Sequence, residues 1–167
     1  MAVTAFDFTQ YVNRAYTALV NHTTNPFRLI LATSATTGLS AIQDTAATMV
    51  DVKAATGWAE VANAAGGSNY VQNANSHLSG VAISSPTWTR TGHVWTLTTV
   101  TNPSWTTAAA GFAPAFAVFF NDVGGTDATN YPLCWWDFGG AAGGVVLHHL
   151  GVLLAAQQFA AGGVHHL

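Results

Sequence analysis

Histidine has the most chemistry to offer in this chain, and four of the seven stand in two adjacent pairs, His148-His149 and His165-His166. Neutral imidazoles are good zinc ligands, so paired histidines raise the question of a metal centre. On an extended chain neighbouring residues point to opposite faces, and neither pair can close on one ion. One member of each pair meeting across strands would supply two ligands, with no carboxylate or thiolate nearby in sequence to complete a tetrahedral shell. The pairs are therefore expected to be polar residues on an outward face or at a subunit axis, with no metal. The segment 121–130, NDVGGTDATN, carries oxygen ligands of the kind calcium takes. It lacks the D-x-[DN]-x-[DN]-G order and closing glutamate of an EF-hand. Asx residues and glycines also build long hairpin turns, because they tolerate positive φ and bond their own backbone, and that is the expected role.

Nucleophilic and acid–base chemistry find less support. Cys134 stands between Leu133 and Trp135 with no base or cation beside it, which predicts a small buried hydrophobe and not a thiolate. No G-x-S-x-G is present, and Gly66-Gly67-Ser68 is not followed by the glycine and lysine of a phosphate loop. Six aspartates and one glutamate are scattered without a pair whose environments would separate their pKa values. The chain is expected to be non-enzymatic and to use no cofactor. Six tryptophans (Trp58, Trp88, Trp95, Trp105, Trp135, Trp136) could stack on sugar rings, but aromatics more commonly serve cores and subunit interfaces. Trp135 and Trp136 are adjacent, so a strand would turn one inward and one outward, the outward one against another subunit.

Composition narrows the partners. Of 167 residues, 50% are hydrophobic and 7% charged, and seven acids against four bases give a formal charge of -3. Without a basic stripe to neutralise phosphates, nucleic-acid binding is not expected. The apolar stretches 111–120 and 139–154 are broken by Pro114 and by His148-His149, short of the roughly 20 residues that span a bilayer, so no membrane partner is expected. Residues 1–10 carry an acid where a signal peptide carries bases, and the single cysteine forms no internal disulfide, which points to assembly in a reducing compartment.

The elements that must position these residues are legible in part. Phe8, Tyr11, Val12, Ala15, Tyr16 and Leu19 recur at helical spacing and predict an amphipathic helix over residues 7–20, ended before Pro26. FRLILAT at 27–33 is a short apolar run of strand length. Residues 46–55 have the makings of a second helix stopped by Gly57. From Gly66 onward short strands alternate with turn residues: 78–84, then a hairpin of 87–90 and 94–99 with Trp88 and Trp95 on opposite arms, then 112–120 and 131–138 joined by the polar turn. The glycine-rich stretches 139–144 and 161–163 read as turns, leaving 145–156 and 157–167 as closing strands or a strand and a short helix. The expected fold is mainly β, an antiparallel β-sandwich of jelly-roll-like or Ig-like type with one N-terminal helix: a helical arm over 1–25 and the sandwich over 26–167. Phe116, Val118 and Phe120 should share one buried face beside the strand carrying Leu133 and Trp135, and Trp136, Trp88 and Trp95 complete the core or interface candidates.

Taken in order, FRLILATSATT, WAEVANAAGGSNY, LSGVAISSPTW, NPSWTTA and AVFFNDVGGTDATNYPLCWWDFGG resemble a family of small virion proteins of tailed bacteriophages. That family begins with a strand of the type kvaLlts, continues through an E-V-x-G motif with a glycine pair and a dvtW strand, reaches a strand, polar turn and strand of the type aviykDtg…pLiaWiDfgg, and ends in aaGv…L. Residues 27–34, Glu60-Val61 with Gly66-Gly67, 102–105, 116–140 and 159–167 match these parts in turn. The tyrosine and glycine pair near residue 66 stand in a different order from the family's, and 143–158 is longer or differently composed. The resemblance implies a capsid decoration or cement protein on the outer surface of the head, built in the host cytoplasm. It also implies a closed cyclic oligomer, a trimer, seated on the major capsid protein. Its alternative is a tail or fibre component, and the tryptophans leave a carbohydrate-binding, receptor-binding module as a further one; nothing in the resemblance implies catalysis. The charge-poor composition suits a protein that hides much of its surface against copies and a shell.

Overall fold

The computed structural model describes residues 4–16, 25–61, 80–83, 87–91, 94–98, 114–138 and 158–160. The fold is mainly β. A five-stranded antiparallel sheet runs in the order β1-β7-β6-β2-β3, and a separate three-stranded sheet runs β4-β5-β8. The strands are β1 (Thr4–Asp7), β2 (Phe27–Ala32), β3 (Val81–Ile83), β4 (Thr87–Thr91), β5 (Val94–Thr98), β6 (Phe116–Asn121), β7 (Tyr131–Asp137) and β8 (Gln158–Ala160). Three short helices, α1 (Thr9–Tyr16), α2 (Leu39–Ile42) and α3 (Met49–Lys53), and one 3-10 turn at Asp127–Thr129 complete the described elements.

The apolar runs FRLILA, FAVFFN and YPLCWWD become the three inner strands β2, β6 and β7. Their side chains are buried in nearly unbroken sequence and not in alternation, which is the pattern of strands covered on both faces. On one face Ile30, Val118, Phe120 and Trp135 pack with Phe8, Leu39, Met49 and Val52 into one core cluster. That cover comes from helices and their flanks, so this face belongs to a sheet-on-helix layer, and the expectation of a single N-terminal helix gives way to three short ones. The other face is aromatic and aliphatic, with Phe27 stacked on Phe119 at 5.0 Å and Trp136 tilted against Phe119 at 6.2 Å.

Two expectations change for a physical reason. The N-terminal helix begins at Thr9, because Thr4–Asp7 pairs antiparallel with β7 and places Phe6 opposite Trp135. The ring of Phe6 lies stacked on that of Trp135, 4.3 Å between centroids, so residues 4–8 belong to the main sheet and core, not to a detached arm. Of the apolar residues at helical spacing, Tyr11 is buried on α1 and Phe8 is buried just ahead of it, while the side chains of Val12, Ala15, Tyr16 and Leu19 lie outside what is described. Trp135 and Trp136 do point to opposite faces, yet both are buried, at 3% and 0% exposure, so neither is left outward for a partner. An alternating strand turns a side chain outward only when one face of its sheet is open.

The hairpin expected of 112–120 and 131–138 forms over Phe116–Asn121 and Tyr131–Asp137, with Val118 opposite Trp135 and a register shift between Phe119 and Phe120. Cys134 pairs with Phe119 and Pro132 with Phe120, so Leu133 is the extra residue, and its carbonyl accepts the Phe8 N–H at 3.0 Å. The irregularity accommodates a proline that has no ladder donor to offer. Phe120 is fully buried on the predicted face, whereas Phe116 lies at its edge and is only partly buried. The β4–β5 hairpin also forms, with Trp88 opposite Leu97 and Trp95 opposite Arg90, so the two tryptophans occupy diagonal and not facing positions. The expected strand at 78–84 is present as β3, with Gly80 bridged beside it. The closing segments 139–157 and 161–167 lie outside the described residues.

The helix foreseen within 46–55 is α3, and its start is chemically specified. One carboxylate oxygen of Asp51 accepts the backbone N–H groups of Ala47 and Thr48, each at 2.9 Å, and the Thr48 hydroxyl at 3.1 Å. Partial burial pushes the Asp51 pKa up, but those hydrogen bonds and the positive charge of Arg14 outweigh it and hold the carboxyl below its ordinary value. A depressed folded-state pKa means the stabilisation is complete above the unfolded value, about 3.9, and is lost as pH falls through the folded one. Asp51→Ala is therefore expected to cost about 0.5–2 kcal/mol at neutral pH. The urea midpoints of variant and parent should converge in strong acid; a gap that persists there would place the effect elsewhere than the cap.

Candidate functional site

Several of the titratable groups of the described residues are occupied in holding the fold. Asp44 accepts the Thr9 hydroxyl at 2.6 Å, and its carbonyl takes the Gln10 side-chain amide, so the α2–α3 region is tied to the start of α1. Asp122 lies 3.9 Å from Arg28, whose guanidinium also donates to the Gly80 carbonyl at 3.3 Å. Burial lowers the Arg28 pKa, and the Asp122 charge opposes that shift. Lys53 of α3 reaches Asp127 in the β6–β7 connection at 2.8 Å. Burial, reinforced by the negative charge of Asp7, pushes the Cys134 thiol well up, which suppresses the thiolate a nucleophile needs.

The connection from β6 to β7 behaves as the turn its composition predicts. Gly124 and Gly125 take positive φ at the tip. The Asn130 side-chain oxygen accepts the Gly124 N–H, and the Thr129 hydroxyl donates to the Gly124 carbonyl at 2.7 Å. Its two acids each face a base, Arg28 or Lys53, an arrangement that neutralises the charge a cation would seek. Among the described residues no group of three or more His, Cys, Asp or Glu side chains converges as a metal site. All seven histidines, and Trp105, lie outside the described residues; Trp88 and Trp95 are placed by backbone register in β4 and β5.

One concave feature among the described residues is a half-open groove of about 210 Å³ where β1, β6 and β7 meet the segment between β2 and α2 and the start of α2. Phe6, Phe116 and Trp135 form its aromatic side, Thr36, Thr37, Leu39 and Ser40 face them, and Asp137 completes the lining. The wall opposite the aromatics is held against residues 56–59. The N–H groups of Thr37 and Gly38 both donate to the Thr56 carbonyl, at 3.0 and 3.2 Å, and the Ala59 N–H donates to the Thr36 hydroxyl oxygen at 3.0 Å. Any side chain at Gly38 would meet Thr56 N at 2.5 Å, and one at Gly57, where φ is +68°, would meet the Ala35 carbonyl at 2.2 Å.

Of the residues singled out from sequence, Phe116 and Trp135 come to this groove, while Val118, Phe120, Leu133 and Trp136 are buried in the sheet. Phe6, Thr36, Thr37, Leu39, Ser40 and Asp137 were not foreseen as neighbours. Three distant segments supply them, and no local spacing rule joins such segments. Compared with protein-family models, curated proteins and solved structures, the chain matches none of them.

Proposed function

We propose that the chain is a non-enzymatic structural protein of a tailed-bacteriophage virion, decorating or cementing the outer surface of the capsid. In this reading it folds in the host cytoplasm, assembles as a closed cyclic trimer and sits on the major capsid protein. Its finer architecture is a β-sandwich of jelly-roll-like or Ig-like type, with β4-β5-β8 as the second layer. The observation that carries the reading is the strand, polar turn and strand over 116–140. The segment with the most specific resemblance to such proteins supplies β6 and β7, two of the three inner strands of the main sheet. The supply of charge adds support: four basic and seven acidic residues are few with which to cover a lone domain.

Peptide counting by mass spectrometry on purified particles tests this directly. Hundreds of copies per particle are expected for a head protein; a few dozen would move it to the tail, and its absence from particles would end the proposal. The mode of attachment follows from the same charge count. Exposed ion pairs are worth only about 0–1 kcal/mol each, so attachment rests on apolar burial and backbone or hydroxyl hydrogen bonds. Washing particles in about 1 M salt, where the Debye length is about 3 Å, should leave the protein bound. Moderate urea, which solvates apolar and peptide groups, should release it. Release by salt and not by urea would show that a few charges dominate the contact.

A further inference from the structure

We infer that residues 4–16, β1 with α1, form a strap that opens as one unit while the rest of the main sheet stays folded, and that the closed strap shields the edge of β7 and the Cys134 thiol. The inference stands on how the strap is attached and does not depend on the capsid role.

The topology makes such an opening separable. β1 ends the sheet and pairs with β7 alone, Thr4–Asp7 running against Cys134–Asp137. On its other side β7 keeps β6, and β6 keeps β2, each over six register pairs, so β7-β6-β2-β3 holds together without β1. The cover on the helical face has its own anchors. The Met49 N–H donates to the Asn130 carbonyl at 2.9 Å and Lys53 reaches Asp127, so α3 stays on the β6–β7 connection when the strap leaves.

The strap is fastened around one point, the start of α1. The Phe8 N–H donates to the Leu133 carbonyl at 3.0 Å and the Thr9 N–H to the Gln43 carbonyl at 3.2 Å. Asp44 closes an exposed clasp, its carboxylate taking the Thr9 hydroxyl and its carbonyl the Gln10 amide. Phe8 and Tyr11 are the buried plugs on either side of these bonds, so plugs and clasp are made or lost together. Against them stands Asp7, opposite Cys134 in the register. Burial raises its pKa, and no cation among the described residues is set against it, so closing the strap disfavours the ionised carboxylate. A short pairing on one side only, with a desolvated charge in its seam, marks the segment as a cooperative unit that opens below global unfolding.

What the strap covers gives the opening its consequence. Cys134 is completely buried, and the Asp7 charge adds to burial in raising its thiol pKa. Cys134 acts in the same direction on the buried Tyr11 phenol, so β1 and α1 both lie against the cysteine. With the strap open, β7 becomes an edge strand, an apolar run with unpaired backbone groups of the kind that folded proteins keep away from other chains.

The test uses the full chain. Native-state hydrogen exchange in rising urea below the unfolding transition is read by mass spectrometry, alongside alkylation of Cys134, the single cysteine, by iodoacetamide. Residues 4–16 should exchange together at least about tenfold faster than β2 and β6, a difference of about 1.4 kcal/mol. Their urea dependence should be shallower, because opening the strap exposes less surface than global unfolding. Alkylation of Cys134 should follow the urea dependence of the strap. Asp44→Ala, which removes the side-chain half of the clasp, should speed strap exchange and alkylation by about fivefold. Asp7→Asn, which takes the charge out of the seam, should slow both. Exchange of 4–16 with the rate and urea slope of β2 and β6 would overturn the proposal. So would opening of 4–7 while 8–16 stay protected, alkylation of Cys134 only along the slope of β2 and β6, or no shift in either variant.

Discussion

Trp136→Ala should destabilise the protein by about 3–5 kcal/mol, the range for truncating a large aromatic in a core. Trp136 is completely buried on the sheet face opposite the helices, tilted at 56° against Phe119, which in turn stacks on Phe27. Removing the indole opens a cavity at the β7 end of that aromatic row, and the strands that flank β7 on both sides limit how far it can collapse. Trp136→Phe separates packing from hydrogen bonding. The buried indole N–H has no hydrogen-bond partner among the described residues, so the phenylalanine variant loses volume but forfeits no bond. It should cost clearly less than the alanine variant. Phe116→Ala, at the partly open groove, should also fall below the full core range, while Phe120→Ala should reach it. Urea denaturation of the four variants checks the order; a Trp136→Ala cost under about 1 kcal/mol would place that ring outside the core.

The second large effect is expected at Gly80. Its φ is +85°, and a side chain there would sit 2.1 Å from the Leu29 carbonyl oxygen in the neighbouring strand β2. Left-handed backbone alone costs a non-glycine residue about 1–2 kcal/mol. Gly124 isolates that contribution, because its φ is +95° and a side chain would meet nothing within 4 Å. Gly124→Ala should therefore cost about 1–2 kcal/mol. Gly80→Ala adds a backbone collision that can be relieved only by moving β3 away from β2, which also draws the Gly80 carbonyl from Arg28. A cost of at least about 3 kcal/mol is expected, with faster amide exchange in β2 and β3. Equal costs at the two glycines would mean that the close approach at Gly80 is absent.

Periodicities of two and 3.6 are local, and they specified what local rules can. FRLILA, FAVFFN and YPLCWWD are short apolar runs that read as buried strands; the spacing that includes Tyr11 reads as one face of a helix; NDVGGTDATN has the residues of a long turn. These were legible because each depends on side chains a few positions apart. The pairing of Thr4–Asp7 with β7 was not, since four residues with no marked alternation acquire strand geometry only from a partner more than a hundred positions away. The burial of Trp136 was decided in the same way. Alternation assigns it the face opposite Trp135, but whether that face meets water depends on what the rest of the chain lays over it. Gly80 and the groove make the same point at the level of single atoms. A glycine beside Val81 becomes obligatory only when β2 brings the Leu29 carbonyl against it, and Phe6, Ser40 and Asp137 become neighbours only when the sheet and the β2–α2 segment close together. Local sequence sets which conformations are inexpensive, whereas contacts distant in sequence are selected by the collective burial of the core, which no window of residues contains.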